Sequence, residues 1–283
     1  MVSSFPFRRL VRFENESGEV KYGEVASGDL KTLVGSTVEV YTGQVPWDPD
    51  FQKSGQKDVI HKVLAPLPRV PIFSCVGLNY KAHAAETKTN PPAYPILFNK
   101  PSSCLAGPAD DIPIHKDAQF LDYEGELCIV IGQTCKDLSE TDDALDYVLG
   151  YTVGNDVSSR YWQMPDRSGQ QAGYSKSFDK FAPLGPVICS TAEIPSPGTL
   201  TLVTKVNGLE RQRSSIEDLI FTVQDIVRFT ARGHTLEPGT VIMTGTPSGV
   251  AAFMKPPAWL KDGDVVEITI DEIGTISNKM VFE

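Results

Sequence analysis

Apolar residues along this chain fall mostly into short runs broken by Gly, Pro, Asn and Asp, a pattern that predicts strands joined by turns. In the first 69 residues the predicted strands cover 9–13, 20–25, 38–40 and 63–65. Gly18, Gly23, Gly28, Gly35 and Gly43 punctuate them. A helical segment is predicted over 47–60, confined to its second half by Pro46 and Pro49. The run Leu64-Ala-Pro-Leu-Pro-Arg-Val-Pro71 reads as a stiff, extended linker. A second composition then begins with a strand at 72–77, followed by β-rich segments at 96–99, 127–131, 147–153, 184–189, 200–206, 240–244 and 264–270. The clearest helix is predicted at 215–231, where Ile216, Leu219, Ile220, Val223, Ile226 and Val227 follow helical spacing. Ser214-Ser215-x-x-Asp218 resembles a start box, and Gly233 sits at the stop. A shorter helix is predicted over 141–149 with Thr141 as its cap. The expectation is a mixed, mostly β protein with few helices: a small β-rich N-terminal domain, 1–69, and a larger catalytic domain, 70–283.

Composition narrows the partners. The 283 residues are 41% hydrophobic and 22% charged, as in ordinary globular proteins. A net charge of -10 argues against nucleic acid or an anionic membrane as partner, because both select basic surfaces. No apolar run approaches the roughly 20 residues of a membrane span. The start, residues 1–13, is basic and lacks acids, but Leu10-Val-Arg-Phe13 reads as a strand rather than part of a mitochondrial presequence. With no secretory apolar segment, the expectation is cytoplasmic, an organelle being left open. Cys75, Cys104, Cys128, Cys135 and Cys189 form no C-x-x-C pair and are expected as reduced, buried thiols. No alternating βαβ pattern or G-x-G-x-x-G is present, which argues against dinucleotide binding.

The chemistry begins at Asp122-Tyr-Glu-Gly-Glu126. Glu124 and Glu126 alternate at period 2 directly before the apolar run Leu127-Cys-Ile-Val-Ile131, so they are aimed at one face. Asp156 follows a second β-like run and is placed to close the same site. An isolated E-x-E is most often the solvent face of a strand. Three converging carboxylates, however, repel one another unless a hard cation lies between them, and Mg²⁺ suits a few carboxylates plus exchangeable waters.

Other reactive residues surround this motif. His83 and Glu86 stand three apart, so on one helical turn they face the same way, as a water-activating dyad or a plain ion pair. Lys100 ends an apolar strand, as an anion contact or a strand cap. Arg160 suits bidentate carboxylate binding, and Gln163 suits a carbonyl or hydroxyl. Lys176 precedes a strand and is a candidate donor to developing enolate charge. Met243-Thr-Gly-Thr-Pro-Ser-Gly-Val250 is a glycine-rich turn whose N–H groups and Thr246 hydroxyl suit a substrate carboxylate or phosphate.

Taken together, Val76-Gly-Leu-Asn-Tyr80, His83, Glu86, Asp122-Tyr-Glu-Gly-Glu126, Gly154-Asn-Asp-Val-Ser158, Arg160, Gln163, Ser175-Lys-Ser-Phe178, Val206-Asn-Gly208 and Thr244-Gly-Thr-Pro-Ser-Gly249 strongly resemble the fumarylacetoacetate hydrolase family. The match runs in the family's order across residues 70–283, and the tail at 255–279 narrows it to one branch. The resemblance implies a mixed β-roll catalytic domain, usually in a homodimer. It implies Mg²⁺, with Mn²⁺ or Ca²⁺ as substitutes, on Glu124, Glu126 and Asp156. It implies catalytic roles for His83, Glu86 and Lys176, and substrate contacts from Arg160, Gln163 and Thr246; Tyr80 and Lys100 are added as candidate substrate contacts. True fumarylacetoacetate hydrolases add a fourth upstream metal carboxylate and a longer N-terminal domain. Neither is evident here, which argues against fumarylacetoacetate as substrate.

The resulting expectation is a small-molecule enzyme that cleaves a C–C bond in a 2-oxo or 1,3-dicarbonyl acid through a stabilised enolate. Keto–enol tautomerisation of oxaloacetate or a similar oxo acid is the alternative, and a non-catalytic module with the same fold is the third reading. Segments 87–95 and 163–174 are expected to form pocket loops.

Overall fold

The computed structural model describes residues 5–26 and 32–283; the predicted punctuation at Gly28 lies outside them. Among these residues the protein is mostly β, as its pattern predicts. A twelve-stranded sheet runs Lys53–Val59, Thr37–Tyr41, Val20–Glu24, Arg9–Glu14, Ala182–Cys189, Val148–Asn155, Gly125–Ile131, Val241–Met243, Phe73–Gly77, Ile96–Lys100, with two short strands pairing off this path. The N-terminal strands join the sheet where Leu10 pairs with Ile188. A five-stranded sheet, ordered Leu209–Ser215, Thr201–Val206, Val265–Ile270, Gly274–Phe282, Ile112–Ile114, packs against the middle of the first. No described helix is long and apolar enough to cross a membrane.

Both faces of the central strands are covered, which is why they read as continuous apolar runs rather than alternating ones. Along Gly125–Ile131, Leu127, Ile129 and Ile131 enter one core with Leu202, Val206 and Ile268 of the second sheet. Cys128 and Val130 enter the other, with Phe73, Cys75, Leu184 and Met243. Alternation places Glu124 and Glu126 in the Cys128 row. Gly125 lies on the opposite side, where an added Cβ would collide with the Thr204 side chain. The glycine between the glutamates is therefore required by the close approach of the second sheet.

Several predicted elements differ. Residues 53–59 form an edge strand paired with Thr37–Tyr41, not the end of a helix; Gly55 at φ +72° and ladder pairing override a weak helical pattern. The predicted helix over 215–231 is divided into the end of the strand Leu209–Ser215, a 3₁₀ turn Ile216–Asp218 and a helix Val223–Thr230. Asn79 enforces the break: its main-chain and side-chain oxygens accept from Ile220 N and Phe221 N, each at 2.8 Å. Thr222 then starts the helix in a reciprocal capping box with Asp225. At 141–149 only a 3₁₀ turn Ala144–Tyr147 forms, capped by Asp143 rather than Thr141, before Val148 enters a strand. In the expected linker, Leu67 and Val70 are fully buried. All five cysteines are free and buried, and burial pushes their thiols up, Cys104 and Cys135 to about 11 and Cys189 to about 12.

Candidate active site

Strand register assembles the carboxylates. Gly125 pairs with Asn155 and Glu126 with Gly154, and Asp156 N donates to Glu124 O at 2.9 Å. Glu124, Glu126 and Asp156 are all buried, and ligand atoms from the three lie within 4.8 Å of one another. Asp156 belongs to the row of Thr152 and Gly154, on the face that carries the glutamates.

Cations compensate two of these carboxylates. Lys176 Nζ reaches Glu124 Oε2 at 2.8 Å and Asp156 Oδ2 at 2.5 Å. Lys100 Nζ donates to Asp156 Oδ1 at 2.6 Å and to the Phe181 carbonyl. Arg160 spans Asp122 Oδ2 at 2.8 Å and Glu124 Oε1 at 2.5 Å. Burial works against the charge on Glu124, but Lys176 and Arg160 outweigh it and hold the carboxyl below its usual range. Burial likewise opposes the Lys176 ammonium, and Asp156 with Glu124 overcomes it, so the amine stays protonated well past neutral pH.

Glu126 is different. Its hydrogen-bond donor is Gly245 N at 2.7 Å, and among the described residues no lysine or arginine forms a salt bridge with it. Burial first, then the charges of Asp156 and Glu124, push its carboxyl well above the ordinary range. A buried carboxylate without a counter-ion, beside two others, is the condition that a hard dication relieves. The donor set is all oxygen, so Mg²⁺ or Mn²⁺ fits these residues.

The dyad lies on the helix Lys81–Thr87, where one turn places His83 Nδ1 2.8 Å from Glu86 Oε2. Glu86 is held in turn by Gly249 N at 3.1 Å, and the His83 ring stands edge-on to Phe253, with centroids 5.6 Å apart. One turn thus serves both halves of the site, Gly245 on Glu126 and Gly249 on Glu86. The positive φ of Gly245, +98°, and an added Cβ's 2.8 Å approach to Asn79 Cβ require glycine there.

Several residues expected at the substrate are occupied within the protein. Lys100 is 1% exposed and sits behind Asp156. Tyr80 is fully buried, and its hydroxyl has no partner. The Thr246 hydroxyl donates to Gly125 O at 3.0 Å and accepts from Gln212 Nε2 at 2.8 Å. Gln163 accepts from Arg160 Nη1 and donates to Ser175 Oγ, each at 3.0 Å. Sequence reasoning gave no role to Asp122, fully buried on Arg160, or to Gln212, which ties Gly125 N to Thr246. Asp122 opens the acidic motif and was legible as one more carboxylate. Gln212 lies in an unremarkable strand with no local signal.

The sequence profile of the fumarylacetoacetate (FAA) hydrolase C-terminal family matches residues 73–281. The chain belongs to the fumarylacetoacetate hydrolase family. It is similar to the mitochondrial oxaloacetate tautomerase fahd2 of Xenopus laevis, with 43% identity over 219 residues, 77% of this chain and 68% of that protein. The human mitochondrial oxaloacetate tautomerase FAHD2A is 41% identical over 218 residues, covering 77% and 69%. A Dictyostelium discoideum relative in the same branch is named fumarylacetoacetate hydrolase domain-containing protein 2 homolog. Among solved structures, the fumarylacetoacetate hydrolase of Exiguobacterium antarcticum superposes with a TM-score of 0.83 at 35% identity, covering 98% of this chain and 100% of that one. The family and its named members are enzymes, so the non-catalytic reading falls away, and the mostly β fold is the family's fold.

Proposed function

We propose that this enzyme is a divalent-metal-dependent keto–enol tautomerase of oxaloacetate or a closely similar oxo acid. The observation that carries the reading is the pairing of a buried three-carboxylate cluster bearing one uncompensated glutamate with relatives named oxaloacetate tautomerase. C–C cleavage, the first expectation from sequence, ranks second, because those names fit isomerisation of the same enolate better.

Glu124, Glu126 and Asp156 would hold Mg²⁺, whose positive charge would make the C3 proton of a 2-oxo acid more acidic. With Nδ1–H donated to Glu86, His83 keeps its lone pair on Nε2, the position suited to remove a C3 proton. The Glu86 carboxylate stabilises the imidazolium that results. Lys176, held protonated by Asp156 and Glu124, supplies positive charge beside the oxygen on which the enolate develops. Returning a proton to that oxygen gives the enol; the reverse steps give the ketone. Water need not enter, which separates this reaction from hydrolysis in the same site. Arg160 and Gln163 brace Glu124 and the Ser175–Lys176 turn. The relatives' names support a mitochondrial setting, and the family resemblance supports a homodimer.

The test is to follow loss of the enol form of oxaloacetate and the mass of all products together, with acylpyruvates in parallel. The proposal expects enol decay faster than in protein-free Mg²⁺ solution, with no new fragment. Fragments of an acylpyruvate, or pyruvate formed in step with enol loss, would restore the cleavage reading.

A further inference from the structure

Asp122 stands behind the carboxylate cluster, fully buried, and all of its acceptor capacity is used. Oδ1 accepts from Tyr123 N at 2.9 Å and Ala251 N at 2.7 Å. Oδ2 accepts from Arg160 Nε at 2.8 Å and Ala252 N at 3.1 Å. These bonds run to two different places. Arg160 continues to Glu124, and so to the metal carboxylates. Ala251 and Ala252 open the turn Ala251–Phe253, which follows Gly249 and carries the aromatic ring against His83. Gly249 itself holds Glu86.

We propose that Asp122 is a positioning residue that fixes the metal carboxylates and the His83–Glu86 dyad in one mutual geometry. A general base must stay within hydrogen-bond reach of the proton it takes, while the metal ligands fix where the substrate lies. The two halves come from distant parts of the chain, Glu124 immediately before the central strand Gly125–Ile131 and His83 on a separate short helix. Asp122 is bonded toward both, through a guanidinium on one side and two backbone N–H groups on the other. Its charge suits this role: an anion accepts four donors, one of them cationic, where an amide would present its NH₂ to two of them. The inference rests on the reading that both halves act on one substrate, but its test uses none.

The experiment compares wild type with Asp122→Asn in two measurements: Mg²⁺ affinity by calorimetry, and the imidazole NMR signals of the metal-free protein. Asn retains one oxygen for the backbone donors but loses the anion facing Arg160 and Ala252. The expected result is a roughly 10–100-fold loss of Mg²⁺ affinity, with the His83 signals displaced or broadened and those of His61, His115 and His234 unmoved. A plain loop anchor would move His83 alone, and a plain arginine partner would move Mg²⁺ affinity alone; either result overturns the proposal. If Asp122→Asn does not fold, Arg160→Lys keeps the charge without the fork and leaves the loop bonds of Asp122 in place. It should then weaken Mg²⁺ binding and, through the loosened Arg160–Asp122 bond, also displace the His83 signals; unmoved His83 signals or unchanged affinity would overturn the proposal. A failure of the tautomerase reading would appear as no turnover on oxaloacetate and would leave both measurements intact.

Discussion

Glutamine at Glu126 should leave the metal-free protein at least as stable as wild type near neutral pH, while glutamine at Glu124 should destabilise it by about 3 kcal/mol. The two residues are neighbours in one motif, yet their surroundings differ. Glu126 is pushed above the ordinary carboxyl range by burial and by Asp156 and Glu124, so holding it ionised in the metal-free site is costly; Gln removes that cost and keeps an oxygen for Gly245 N. Because the folded value lies above the unfolded 4.5, this group favours the fold most at low pH. That contribution fades as pH rises from there toward the folded value. The E126Q variant should lose this pH dependence. Glu124 instead closes ion pairs with Lys176 and Arg160, and removing its charge leaves both cations undercompensated in a buried site. Each variant should weaken Mg²⁺ binding, and the double variant should show no measurable binding and no turnover above background. In wild type, a proton and Mg²⁺ compete for Glu126, whose carboxyl is raised by burial and by Asp156 and Glu124, so affinity should rise with pH. Denaturation in chelator and calorimetry across pH check all of this. Unchanged metal binding in the double variant would refute the ligand assignment.

His83→Ala should lower kcat by about 100-fold or more while Mg²⁺ remains bound. The imidazole is the base of the proposed proton transfer and makes no bond to the carboxylate cluster. Alanine suits the middle of the helix Lys81–Thr87, so the fold should persist, minus the contact with Phe253. Glu86→Gln keeps an oxygen for Gly249 N but no longer stabilises an imidazolium, so a smaller loss is expected. Steady-state kinetics with parallel Mg²⁺ titrations separate these effects. Loss of Mg²⁺ binding in His83→Ala, or unchanged kcat, would refute the assigned role.

The acidic motif was legible because alternation gives both glutamates one direction and the company of Asp156 and the other reactive residues argues against a solvent face. Period 2 puts Glu124 and Glu126 on one face, and the strand after them is too apolar to lie in solvent. The contact between His83 and Glu86 was legible from helical spacing, while its reading as a dyad rather than a plain ion pair came from the family resemblance. What stayed hidden was long-range. Nothing near Gln212 in the sequence shows that it reaches Gly125, and nothing near Asn79 shows that it would divide a helical pattern at Ile220 and Phe221. Tyr80 and Thr246 were recognisable as members of a motif, and Lys100 as a lone cation at a strand end. Their direction was not, because facing substrate or facing an internal partner depends on strands that pair across much of the chain. The edge strand at 53–59 was missed for a related reason: its conformation comes from the ladder it joins, and its own residues argue weakly.

The most direct test of the central claim is exchange of the C3 hydrogens of oxaloacetate with solvent deuterium, followed by proton NMR. It is run on metal-stripped enzyme before and after Mg²⁺ is restored, against protein-free Mg²⁺ controls. Enolisation at this site predicts exchange well above the control that requires Mg²⁺, disappears in the Glu124→Gln, Glu126→Gln double variant and yields no excess pyruvate. Exchange at the control rate with active metal-loaded enzyme, or exchange undiminished in the double variant, would contradict it.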